Sequence, residues 1–353
     1  MSTANNPPLL LITHPRSASN LFMRILSLPD HPNVLAAESG GYFFYPALSH
    51  LRAARLLDRT PEHWTDQETS AMQQVFQSCT DNFRHLISAA QAAGKRAVIK
   101  EHAPFLIRPE VRADFVHGRG QRRRRQQQQP QPQPKLIATA SKMNIQIGED
   151  SHSSTPGNGN EAVLPDEVLL QCVPAFLIRH PALAFPSYYR VRRSFADGDC
   201  QKLESMMNDL AAICTLRWTR SLYDWYIAAW EGQGQQRSPP ILLEADDLIE
   251  RPELARHFCD LVGLDSTRVR FEWEAVVDPE ELAEHPIRRH TRTTLMASSG
   301  TITQGKTFRG LSVEGEAVKW RAEFGDYVAT RLLHWVQEAM PDYEYLWGRR
   351  VVW

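Results

Sequence analysis

Three small groups of residues in this chain have types and spacings that could do chemistry. In the first, Thr-His-Pro-Arg-Ser-Ala-Ser-Asn-Leu over residues 13–21, Arg16, Ser17 and Ser19 crowd into one short turn. A guanidinium beside two hydroxyls suits an anion. In the second, Ile-Lys-Glu-His-Ala-Pro over residues 99–104, Lys100 and His102 stand two apart. An extended backbone would point them the same way. A histidine can take a hydroxyl proton near neutral pH, and a lysine can stabilise developing negative charge. Taken alone, a Lys-x-His pair is also ordinary surface composition. In the third, Arg179 precedes Ser187 by eight residues. Guanidinium and hydroxyl could hold a second phosphate; equally, Arg179 could pair with a carboxylate and Ser187 could cap a helix.

The elements around these groups decide whether they can meet. Residues 9–12, Leu-Leu-Leu-Ile, read as a buried parallel strand. An amphipathic run starts near Ser19 or Asn20 and carries Leu21, Phe22, Ile25 and Leu26 at helical spacing. Strand, tight turn and helix N-terminus form an anion site, because unpaired N–H groups and the positive helix end converge. The ATP-type loop G-x-x-x-x-G-K-[ST] is absent, with no glycine between residues 9 and 39. Further strands are expected at 97–100, 172–179 and 241–244, and helices at 68–93, 200–231 and 252–262. This alternation predicts an α/β fold, a parallel central sheet flanked by helices in a P-loop-like three-layer sandwich. Ligands in such sheets bind at the carboxyl ends of the strands. All three groups fall there.

Length and composition set limits. The 353 residues, 42% hydrophobic, suffice for one large α/β domain over 1–353. A net charge of −1 gives no bulk attraction to nucleic acid or to a membrane surface. The five cysteines are scattered without a C-x-x-C pair, so no metal site is expected. The N-terminus lacks a basic region and its apolar run is four residues long, which predicts a cytoplasmic protein without a secretory signal. Residues 118–165 break the globular pattern with Arg122, Arg123, Arg124 and Arg125, a glutamine run, alternating Pro-Gln and a Ser/Gly/Asn-rich stretch. This composition predicts a disordered insertion in a surface loop, with an anionic docking or nuclear-targeting patch as the sharper alternative.

Taken together, the motifs resemble the sulfotransferases that use 3′-phosphoadenosine 5′-phosphosulfate (PAPS). Residues 13–21 are similar to the family's T-Y-P-K-S-G-T-T-W loop for the 5′-phosphosulfate, with Arg16 on the lysine position, Ala18 on the glycine and Asn20 on a threonine. Arg179 and Ser187 match the R-x7-S pair for the 3′-phosphate, and Ser187-Tyr188-Tyr189 repeats the S-Y-Y that often follows. Residues 99–104 are similar to I-K-T-H-L-P, whose histidine is the base. Residues 244–252 resemble the Y-E-D-L…P segment without its tyrosine. Residues 305–324 resemble, without the middle lysine, the R-K-G…D-W-K…F region that closes over the nucleotide. The resemblance implies His102, Lys100 and Arg16 as catalytic residues. It implies Arg16, Ser17, Ala18, Ser19, Asn20, Arg179, Ser187, Arg309 and Gly310 as nucleotide contacts, and PAPS as donor without a metal. The partner implied is a small, apolar acceptor bearing a hydroxyl or amine. Two rivals are a sulfotransferase-like binding protein without catalysis and a P-loop kinase or NTPase. The aromatics of residues 38–45 either enclose the acceptor or belong to the core.

Overall fold

The computed structural model describes residues 6–37, 41–126, 159–195, 200–234, 237–275 and 294–352, with the backbone alone for 119–126 and 200–205. Five strands form one sheet: β1 (Leu9–Thr13), β2 (Val34–Ala36), β3 (Arg96–His102), β4 (Val173–Ile178) and β5 (Ile241–Glu244). Their order is β2-β3-β1-β4-β5, and every pairing is parallel. Both faces of the sheet are covered. Leu10 and Ile12 of β1 join one core cluster, Leu9 and Leu11 the other. The strand therefore reads as an unbroken apolar run, because its period-two alternation points into a core on either side. Each fully buried leucine or isoleucine contributes about 1.5–3 kcal/mol.

Helices α1 (Ser19–Leu26), α2 (Tyr45–Ala53) and α3 (Asp66–Ala92) follow the first strands. Helix α1 packs Phe22, Ile25 and Leu26 against the second cluster, with Phe22 edge-on to Phe258 at 5.0 Å between centroids. Helix α3 begins at a capping box, Thr65 and Glu68 each satisfying the other's backbone N–H, and lines the opposite layer with Met72, Phe76 and Phe83. After β3 come α4 (Ala103–Leu106), α5 (Pro109–Gln126) and α6 (Asp166–Leu170), then β4 and α7 (Pro181–Arg193). Next are α8 (Cys200–Ile213) and α9 (Arg217–Gly232), then β5, α10 (Ala245–Glu250) and α11 (Leu254–Val262), and finally α12 (Val313–Phe324) and α13 (Asp326–Trp347). The expected α/β class and three-layer architecture are what the molecule has.

Several boundaries differ from the sequence reading. The helix expected over 200–231 is two helices, α8 and α9, although no glycine or proline interrupts the stretch. The break turns the Ile213 carbonyl toward His14, whose Nε2 meets it at 2.8 Å. The 118–165 segment is narrower than expected at both ends. Residues 118–126 continue α5, and Ala162, Val163 and Leu164 are buried against the first core cluster, with Ala162 bridged to Ile107. Residues 127–158 lie outside the described part, as do the side chains of the four arginines. Ser187 sits midway along α7 rather than at its start.

Candidate functional site

Sheet register assembles the site. Thr13, the last residue of β1, pairs with His102, the last of β3, and with Leu177 near the end of β4. The sequence thus brings Arg16, His102 and Arg179 to one edge although they are far apart in the chain. The strand reaches His102, beyond the expected 97–100, so Lys100 and His102 do share a side. Both lie under the ring of Tyr42, Lys100 Nζ at 4.3 Å from its centroid and the His102 ring at 4.5 Å.

The turn after β1 forms a tight loop into α1. Ser17 N–H donates to the His14 carbonyl (3.1 Å), and Phe22 N–H reaches the Ala18 carbonyl (3.0 Å). Arg16 (φ 67°) and Ala18 (φ 59°) both take the left-handed conformation. That well costs a non-glycine residue about 1–2 kcal/mol but remains open to it, so alanine suffices where the resembled loop has glycine. Ser17 is fully buried and its Oγ has no hydrogen-bond partner. An unsatisfied buried hydroxyl next to a helix N-terminus is of the chemical type that suits an anionic oxygen.

Arg16 Nε donates to Ser187 Oγ at 2.9 Å. Arg179 donates to the Arg16 carbonyl (3.0 Å) and to the Lys306 carbonyl (2.5 Å), while its Nε is buried without a partner. Arg179 therefore ties the first loop to residues 305–308, whose Phe308 N–H is held by Asp246 (2.6 Å) and whose Phe308 ring stacks on His180 at 3.5 Å. Burial and the neighbouring Arg179 charge lower Arg16 to about 10, which leaves it cationic at neutral pH. Asn20 Oδ1 accepts from Lys100 Nζ at 2.7 Å and from the Tyr42 hydroxyl at 3.4 Å.

Thr13 Oγ1 lies 3.1 Å from the Glu101 carbonyl and 2.6 Å from His102 Nδ1. A carbonyl only accepts, so the assignment that gives the hydroxyl proton to Glu101 makes Nδ1–H the donor to Oγ1 and leaves the lone pair on Nε2. Burial, then the Lys100 charge, hold His102 well below the usual imidazole range. It is a neutral imidazole on the wall of a cavity of about 700 Å³.

Arg16, Ala18, Ser19, Asn20, His102, Arg179 and Ser187 line that cavity. Three of the expected nucleotide contacts do not: Ser17, which is fully buried, Arg309 and Gly310. Arg309 is 68% exposed and pairs with Glu250 at 2.9 Å, and Gly310 is exposed beside it; Gly305 and Lys306 reach the cavity instead. The Lys100 side chain is buried behind Asn20. The aromatic stretch divides. Tyr42 and Tyr45 line the cavity, while Phe44 is fully buried in the core.

Sequence reasoning missed Thr13, Glu101 and Gly41 as parts of the site. The fully buried Glu101 carboxylate accepts from Phe44 N–H (2.9 Å) and His102 N–H (2.7 Å), fastening the aromatic loop to the base strand; burial pushes it up to about 7. Gly41 (φ +102°) passes so close to β3 that a Cβ there would sit 2.3 Å from the Lys100 carbonyl. A glycine ahead of Tyr42 was the available signal.

Fold and site together define a three-layer α/β protein with a tight, arginine- and serine-bearing loop and a neutral histidine at its strand ends. No protein-family profile matches the chain. It is similar to two curated proteins named sulfotransferase ppzF. The one from Metarhizium rileyi is 35% identical over 346 residues, spanning 97% of this chain and 95% of the relative. The one from Metarhizium majus is 35% identical over 348 residues, spanning 97% and 96%. With that identity over nearly the whole length, the chain belongs to the sulfotransferase family. A sulfotransferase domain from the curacin biosynthetic pathway also aligns over 94% of this chain and 98% of its own, at 11% identity and a TM-score of 0.30, a likeness too distant to bear on the site. Among the described residues no group of His, Cys, Asp and Glu could hold a metal, and no helix is long and apolar enough to cross a membrane.

Proposed function

We propose that this sulfotransferase moves a sulfuryl group from PAPS to a hydroxyl or amine of a small acceptor with an apolar body, with His102 as general base. The observation that carries the reading is the placement of His102: its Nδ1 lies 2.6 Å from Thr13 Oγ1, and the residue lines a cavity that Arg16 also lines. As the acceptor oxygen bonds to sulfur, His102 Nε2 takes its proton. The bond from sulfur to the 5′-phosphate oxygen breaks, and its electron pair leaves with adenosine 3′,5′-bisphosphate. Arg16 and the N-terminus of α1 stabilise the charge on that leaving phosphate, with the buried Lys100 charge behind Asn20 adding to the field. Ser17 Oγ, Arg179 Nε and Ser187 are the groups that fit phosphate oxygens, the first two because they are otherwise unsatisfied. Tyr42, Tyr45 and Phe105 line the same cavity as His102 and supply an apolar wall for the acceptor.

The test is turnover of labelled PAPS against phenols, alcohols and amines, alongside binding of adenosine 3′,5′-bisphosphate. His102→Ala should lower kcat by about 10²–10⁴-fold, the usual worth of a general base, with nucleotide binding retained. Near-normal turnover by that variant would remove His102 as the base. Tight nucleotide binding without turnover of any acceptor would favour a binding protein.

A further inference from the structure

The wall of the cavity beyond the aromatic rings is cationic. Arg52 of α2 lies seven residues after Tyr45, hence on the same helix face and about 10 Å further along the axis. Arg192 of α7 lies four residues after Tyr188, also on one face. Arg52, Tyr188 and Arg192 all line the cavity that His102 lines. Their anionic neighbour is Asp209 of α8. Arg52 Nε and Nη2 both donate to one oxygen of Asp209, Oδ2, at 3.0 and 2.7 Å, and Arg52 Nη2 also donates to the Tyr188 hydroxyl at 2.7 Å. Arg192 Nε is 3.4 Å from that same oxygen without making a hydrogen bond. Arg112, 3% exposed, feels the same carboxylate from behind, and its Nε and Nη1 are buried without partners.

Three guanidiniums thus share one carboxylate, an excess of two positive charges on groups that are mostly out of water. Side-chain exposure is 14% for Arg52 and 19% for Arg192, and both residues line the cavity. A single buried Arg–Asp pair would be an ordinary tie between helices. Buried cations in excess of their counter-ions are costly unless an anion arrives.

We propose that the acceptor carries an anionic group, a carboxylate, that docks on Arg52 and Arg192, while its hydroxyl or amine lies at His102. This rests on the sulfotransferase reading given above and sharpens it: the acceptor has an apolar body between Tyr45 and Phe105 and a charged end at Arg52 and Arg192. Arg16, Arg179 and Ser187 form the separate set that meets the nucleotide, with Ser187 turned to Arg16 and Tyr188, the next residue, turned to Arg52.

The experiment uses matched probes. Turnover of 3-(4-hydroxyphenyl)propanoate is compared with that of its methyl ester, with PAPS as donor. The acid should have the higher kcat/KM by about tenfold or more, mainly through KM, and Arg192→Gln should bring the ratio to within about twofold of one. Arg192 is chosen because it makes no hydrogen bond to Asp209; Arg192→Lys should keep part of the preference. Equal kcat/KM for acid and ester in the parent enzyme, or an unchanged ratio in Arg192→Gln, overturns the proposal. A large loss of adenosine 3′,5′-bisphosphate affinity in Arg192→Gln also overturns it, assigning the cluster to the nucleotide. The anion site is read separately from catalysis by calorimetric binding of 3-phenylpropanoate and 3-phenylpropanamide to the nucleotide complex. Preference for the carboxylate supports the proposal even where neither phenol is sulfonated, an outcome that would instead count against the transfer chemistry. Equal binding of the two overturns it.

Discussion

Thr13→Val is the sharpest test of the base assignment, because it removes one oxygen and keeps the shape. In the parent, Thr13 Oγ1 lies 2.6 Å from His102 Nδ1, and with the proton assigned to Nδ1 it accepts from the ring and holds the lone pair on Nε2. Valine removes the hydroxyl acceptor from the buried Nδ1–H, at a cost of up to about 1–3 kcal/mol. The ring can escape that cost by moving its proton to Nε2, the position from which it must act as a base. If about 1.4–2.8 kcal/mol of this appears in the transition state, kcat falls about 10–100-fold. Thr13→Ser keeps the hydroxyl and should recover most of the rate. The assay is kcat and KM for a phenol with PAPS, with adenosine 3′,5′-bisphosphate affinity as the control that should not change. Nitrogen NMR of the imidazole should report the proton on Nδ1 in the parent and at least partly on Nε2 in the valine variant. The reasoning fails if Thr13→Val turns over within twofold of the parent, or if serine is as slow as valine.

The remaining expectations concern the surroundings of this pair. Burial and the Lys100 charge hold His102 below the usual imidazole range, so kcat/KM should stay flat as pH falls through 6.5, and Lys100→Met should move its acid limb to higher pH. Because the unfolded imidazole takes up a proton near pH 6.5 and the buried one resists it, the same group should lower stability as pH drops below that value, readable as a falling thermal midpoint. Gly41→Ala should cost about 2 kcal/mol or more in denaturant unfolding, since its Cβ meets the Lys100 carbonyl; Gly94→Ala, at φ +64° with open space around it, should cost only about 1 kcal/mol. Arg179→Ala should weaken adenosine 3′,5′-bisphosphate binding about tenfold or more, whereas Arg309→Ala, an exposed ion pair outside the cavity, should change it less than about threefold.

The sequence carried the scaffold well where burial is two-sided. The strand at 241–244 was legible to the residue, and that at 9–12 missed only Thr13, because continuous apolar runs between breakers leave few other assignments. Strand β2, three residues at the sheet edge, is too short to show a period. Local pattern also could not show that β3 runs past Lys100 through Glu101 and His102, two polar side chains buried by tertiary contacts. Arg16, His102, Arg179 and Ser187 were found by spacing and do meet. Arg309 was placed by motif order alone, and in the structure its charge goes to Glu250 on the surface. Arg52, Arg192 and Asp209 come from three different helices, so no linear spacing announces them.

The position of β1 between β3 and β4 has a consequence for how the chain can vary. The neighbourhoods of His102 and Arg179 are both held to this common partner by the sheet register. One residue added to β1 would slip its register and move Thr13 away from His102.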